Sequence, residues 1–94
     1  MIIIRETFTT RPGMASKLAA LFKEVLPGLT KAKTRVLTDW IGPFNTVVME
    51  TEVEDLAAFE TMMKEYAERK DVRERLKGYA DMYVTGKREV YRVM

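Results

Sequence analysis

At 94 residues, 47% apolar and 32% charged, the chain has enough hydrophobic material for one folded domain over 1–94 and too much for a disordered segment. Its 16 basic and 14 acidic residues leave a net charge of only +2 and are interleaved, as in Lys64-Glu65 and Arg73-Glu74-Arg75, which argues against the basic stripe of a nucleic-acid binder. With neither cysteine nor histidine, disulfides, thiolate chemistry and the usual ligand sets for zinc, haem iron and iron–sulfur clusters are excluded, so no metal and no cofactor is expected.

The opening Met1-Ile2-Ile3-Ile4 is apolar but stops at Arg5, too short for a signal segment or a membrane span. A cytoplasmic protein without a membrane partner is the expectation. Ile2 to Thr10, rich in β-branched residues, reads as a first strand, ended by Arg11-Pro12-Gly13. Met14, Leu18, Leu21, Phe22 and Val25 then recur at helical spacing, and Leu26-Pro27-Gly28 should close that helix. Thr34 to Ile41 reads as a second strand and Thr46 to Val53 as a third, joined through Gly42-Pro43-Phe44-Asn45 as a hairpin. Asp55 is placed to cap a helix whose apolar face is Leu56, Phe59, Met62, Met63 and Tyr66. At Lys70-Asp71 the pattern restarts. Asp71 and Glu74 have capping-box spacing, and Val72, Leu76, Tyr79, Ala80 and Tyr83 mark a further apolar stripe. Thr85-Gly86-Lys87 reads as an exit turn and Arg88 to Val93 as the last strand.

The order β-α-β-β-α-β predicts an α+β, ferredoxin-like domain: a four-stranded antiparallel sheet with the first and third strands central and the helices on one face. Period two puts Ile2, Ile4, Glu6 and Phe8 of the first strand with Val47, Met49, Thr51 and Val53 of the third, toward the helices. The other face is mixed: Ile3, Arg5, Val48, Glu50 and Glu52, with Val90 and Arg92 assigned to it from the last strand. A face only partly apolar, with opposite charges such as Arg5 and Glu50 on neighbouring strands, is suited to a second copy, so a homodimer is expected.

Glu6 stands out as a carboxylate among core-facing residues. An unpaired buried carboxylate is costly, so it serves a pocket, is held by a partner such as Tyr66, Tyr79 or Tyr91, or reaches water at a rim. Trp40, the single tryptophan, is a candidate to line an aromatic pocket with Phe44, Phe59 and Tyr83, and Met63 offers a plastic wall. The candidate ligand-binding set is therefore Glu6, Trp40, Phe59, Met63 and Tyr83, with Glu6 the one candidate for catalysis. Lys31, Lys33 and Arg35, with Lys87 and Arg88, form the best basic cluster, more simply read as a solvated surface. The mixed face lacks the aromatic pattern by which RNA-binding domains of this topology stack bases.

The run Phe8-Thr9-Thr10-Arg11-Pro12-Gly13 into a helix, the stretch from Asp55 through Lys70-Asp71-Val72, and the closing Arg88-Glu89-Val90-Tyr91-Arg92-Val93 together resemble the dimeric α/β-barrel proteins of the NIPSNAP and antibiotic-biosynthesis-monooxygenase groups. That resemblance implies protomers whose sheets meet back to back as a dimeric α/β barrel, and a ligand pocket between each sheet and its own helices. Some relatives are cofactor-free monooxygenases on aromatic substrates. Others degrade haem with an asparagine on the first strand and a downstream tryptophan and histidine; Glu6 occupies the asparagine position here and there is no histidine, which disfavours that chemistry. The leading expectation is a NIPSNAP-like dimer binding a small apolar or aromatic molecule. The alternatives are a cofactor-independent monooxygenase on a small aromatic substrate and a regulatory or nucleic-acid-binding module.

Overall fold

The computed structural model describes residues Met1–Met94. Its elements are β1 (Ile2–Thr10), α1 (Ala15–Leu29), β2 (Thr34–Thr38), β3 (Thr46–Val53), α2 (Leu56–Glu68), α3 (Lys70–Arg75), a 3-10 turn at Tyr79–Asp81, and β4 (Tyr83–Arg92). All strand pairs are antiparallel, in the order β2-β3-β1-β4, so β1 and β3 are central as the ferredoxin-like topology requires. No helix is long and apolar enough to cross a membrane.

The α1 stripe carries the main core. Leu18, Ala19, Phe22, Val25 and Leu26 meet Phe8 and Val47 from the sheet and Val72 and Leu76 from α3 and its end. A separate, smaller cluster joins Ile4, Val53 and Phe59 under α2. Asp55 caps α2 as expected, its Oδ1 accepting the Ala58 N–H at 2.9 Å. Asp71 does not cap α3. It pairs with Arg69 at 2.7 Å instead, and the helix stops after six residues before Gly78, whose φ of 88° suits a residue without a Cβ. The apolar stripe beyond it therefore continues as a 3-10 turn rather than as helix.

Two further expectations are corrected, and both matter for the surfaces. The second strand ends at Thr38 rather than Ile41. The Asp39 N–H still donates to the Thr46 carbonyl at 3.2 Å, but the Thr46 N–H is accepted by Asp39 Oδ1 at 2.9 Å in place of a backbone carbonyl, and a loop opens there. Trp40 and Ile41 are consequently in that loop. The last strand begins at Tyr83, so Thr85, Gly86 and Lys87 are strand residues opposite Thr9, Phe8 and Thr7 and not a turn. Gly86 lies in the strand because the Phe8 ring crosses it: a Cβ there would meet Phe8 Cδ1 at 3.3 Å. This register pairs Val90 with Ile4 and Arg92 with Ile2. Both residues thus face the helix side, contrary to their expected place, and Lys87, Glu89 and Tyr91 occupy the open face instead.

That open face carries a row of alternating charge, Arg35–Glu50–Arg5–Glu89, one residue from each strand at matched positions. Glu50 is only 4% exposed. Its carboxylate accepts from Arg5 Nε at 2.7 Å and Arg35 Nε at 2.6 Å. Arg5 also lies over the Tyr91 ring at 4.9 Å, and the Tyr91 hydroxyl donates to Glu89 at 2.9 Å. Burial by itself would raise the Glu50 pKa, but the two guanidinium hydrogen bonds outweigh it and hold the carboxyl below its ordinary value of 4.5. A carboxylate lowered on folding stabilises the fold above its unfolded pKa, and that contribution disappears as the pH falls through the folded value. Glu50→Gln is therefore expected to lower stability at neutral pH and to flatten its decline below about pH 4.5, as urea titrations across pH 3–7 would show. Parallel pH profiles for the two proteins would contradict the pairing.

Candidate functional site

Between the two core clusters the packing is incomplete. A cavity of about 120 Å³ is left under α1 and α2, and 11 of its 15 lining residues are hydrophobic. Phe22, Val25 and Leu26 form the α1 wall, Met62, Met63 and Tyr66 the α2 wall, and Phe8 and Met49 the floor. The gap follows from the sequence of α2. Only Phe59 on that helix is buried, so α2 is anchored through one side chain and leaves its methionines and Tyr66 half-covered toward the gap. A void of this kind is close to the volume of about 150 Å³ that admits benzene, and below the roughly 300–1,000 Å³ of drug-sized sites.

The polar end of the cavity is formed by Glu6 and Arg88. They are Cα partners across β1 and β4, and Arg88 Nη2 donates to Glu6 Oε2 at 3.0 Å. The side chains are 20% and 46% exposed, which places the pair at the rim and not in the deep interior. Arg88 also lies over the Phe59 ring at 5.2 Å, and so ties the second core cluster to the pocket. Tyr79 lines the same space. Burial, with smaller effects from Tyr83, Tyr66 and Glu6, holds its hydroxyl above the ordinary phenol pKa. The arrangement is an apolar slot with one paired carboxylate, one guanidinium and a neutral phenol at its end. With Thr30, Thr51 and Tyr66 also in the lining, it can recognise a molecule with an apolar body and a small polar group.

The sequence-based candidates are divided by this geometry. Glu6 and Met63 line the cavity. Phe59 is buried one layer behind, under Arg88. Tyr83 is also behind the wall, packed edge-on against Phe8 at 4.9 Å and against Tyr79 at 5.7 Å. Trp40 is outside altogether, 94% exposed in the β2–β3 loop, and Phe44 is there with it at 84%. The partner of Glu6 is Arg88 rather than a tyrosine. Arg88 escapes notice in the sequence because it reads as one of a basic cluster; the β1–β4 register, which sets it opposite Glu6, is the signal that would have found it.

No family model and no curated protein matches the chain by sequence. Solved structures do match by fold. A NIPSNAP-like domain protein from Burkholderia xenovorans superposes with a TM-score of 0.87 at 18% identity, over 99% of this chain and 84% of that one. A NIPSNAP family protein from Agrobacterium tumefaciens gives 0.85 at 14% identity, over 99% and 92%. An antibiotic biosynthesis monooxygenase gives 0.73 at 13% identity, over 100% and 99%. At these identities the likeness establishes the fold: the chain has the ferredoxin-like α+β fold of the NIPSNAP-like and antibiotic-biosynthesis-monooxygenase-like proteins, the groups its sequence resembles.

Proposed function

We propose that this chain is a NIPSNAP-like, homodimeric binding protein for a small, mostly apolar molecule of about one ring, held between the sheet and its helices. The cavity carries this reading: it is ring-sized, its walls are apolar, and its only charged residues are the Glu6–Arg88 pair at one end. Because that pair is neutral overall, a neutral ligand with a hydroxyl suits it better than an ion. Arg88 occupies one Glu6 oxygen and leaves the other to accept from the ligand. Dimerisation is supported by the open face, where Arg35, Arg5 and Lys87 balance Glu50, Glu52 and Glu89 and can pair with an inverted copy of themselves. The same balance denies nucleic acid a basic surface.

Calorimetric titration with p-cresol and toluene tests the pocket. Both should bind, with p-cresol the tighter. Glu6→Gln should change unfolding free energy by less than about 1 kcal/mol, because its partner is half in water. It should weaken p-cresol by about tenfold while leaving toluene unchanged. Failure of both probes to bind would remove the pocket reading. The monooxygenase alternative draws on the fold likeness to such an enzyme. It requires Glu6 to leave Arg88 and act as a base, so turnover of a small phenol under oxygen that Glu6→Gln abolishes would favour it instead.

A further inference from the structure

The least expected surface of the molecule is the loop between β2 and β3. Trp40, Ile41 and Phe44 are 94%, 92% and 84% exposed, three large apolar side chains within five residues. Nothing in the fold of one chain uses them. The loop is nevertheless closely held. Asp39 bonds the Thr46 N–H through its side chain and its own N–H donates to the Thr46 carbonyl at 3.2 Å. The Thr46 hydroxyl donates to the Pro43 carbonyl at 2.8 Å. At the β1 end, the Thr10 N–H donates to the Asn45 carbonyl at 2.7 Å, with Asn45 in the left-handed region at φ 63°. Side chains presented on such a fixed loop lose little freedom when they are covered, which is the property of a preformed contact.

The occupant follows from the sheet that the loop prolongs. Its four strands have 9, 5, 8 and 10 residues. At about 3.3 Å per residue and 4.8 Å between strands, the open face offers roughly 500 Å² in plan. That is below the roughly 800 Å² per partner of a stable interface. It is also poor in apolar groups, with Ile3, Leu37, Val48 and Tyr91 set among six charges. Leu37 and Val48 end this face just where the hairpin leads into the loop. The loop carrying Trp40, Ile41 and Phe44 joins Thr38 of β2 to Thr46 of β3 at that end of the sheet, and its three exposed side chains offer the large apolar area that the face lacks, with tryptophan among the residue types most enriched where interfaces concentrate their energy.

We infer that the β2–β3 loop is the apolar anchor of the homodimer, with Trp40, Ile41 and Phe44 of each protomer seated on the second copy of the chain. This rests on the homodimer proposed above and adds the residues that hold it together. Trp40 is also the reporter, since it is the chain's only tryptophan. The experiment follows tryptophan emission and acrylamide quenching over a dilution series of the whole protein, alongside its mass by sedimentation, with and without anionic phosphatidylglycerol vesicles. The expected result is a dimer whose emission lies at shorter wavelength and resists quenching, both changes reverting at the concentration where the mass halves. Ile41→Ser and Phe44→Ser, which leave the reporter in place, should each raise the dimer dissociation constant by about tenfold or more without unfolding the protomer. A dimer with fully quenchable, unshifted Trp40 would overturn the inference while leaving the homodimer standing. A monomer at every concentration would remove both. A blue shift that appears only with vesicles would assign the loop to a lipid surface and equally overturn it.

Discussion

Leu18→Ala is expected to lower the unfolding free energy by about 3–5 kcal/mol in a urea titration, with little change in the slope of the transition. Leu18 is 0% exposed and belongs to the core cluster that joins α1 to Phe8 of β1, Val47 of β3 and Val72 of α3. For a domain whose whole stability is of order 5–15 kcal/mol, that loss is a large fraction of the total. Leu21, three residues on and on the same helix, is only half-buried and should cost much less when truncated. Equal losses at the two positions would show that α1 is rotated relative to the sheet.

Arg5→Glu is expected to have the largest effect on assembly. Arg5 stands between Glu50 and Glu89 in the charged row, so the reversal sets three carboxylates side by side and leaves Glu50, already nearly buried, with Arg35 alone. An ion pair broken at a covered site costs several kcal/mol, because one charge remains desolvated without its counterpart. The dimer dissociation constant should rise by about a hundredfold or more, measured by sedimentation, and the protomer itself should lose stability. Arg5→Gln separates the two effects: it removes the pair without adding repulsion and should weaken the dimer less. Arg92→Glu is the internal control. Arg92 lies on the helix side opposite Ile2, so its reversal should leave assembly unchanged.

The alternation in β1 and β3 could be read directly, because central strands with one covered face must keep apolar residues two apart. Ile4, Phe8, Val47 and Val53 are buried as that pattern requires. Edge strands and loops are less constrained. In β4 nearly every residue is exposed, so no burial pattern marks its register, and Gly86 looks like a turn until Phe8 is seen lying across it. Trp40 has the composition of a core residue, yet a single side-chain bond from Asp39 takes it out of the strand. Glu6 could be found as a carboxylate on the wrong face. Its partner could not, since Arg88 is 82 residues away and only the pairing of β1 with β4 brings the two together. The cavity itself has no signature in sequence. It is an absence between two clusters, created by the single buried anchor on α2.

The proposed pocket between sheet and helices takes a small, mostly apolar ligand. Seven methionines make this directly observable, for Met49, Met62 and Met63 line the cavity while Met1, Met14, Met82 and Met94 do not. In a protein labelled at the methionine methyl groups, titration with p-cresol should move the Met49, Met62 and Met63 signals in one saturable transition and leave those of Met1, Met14 and Met94 in place. Shifts spread evenly over all seven, or confined to the two ends of the chain, would contradict it.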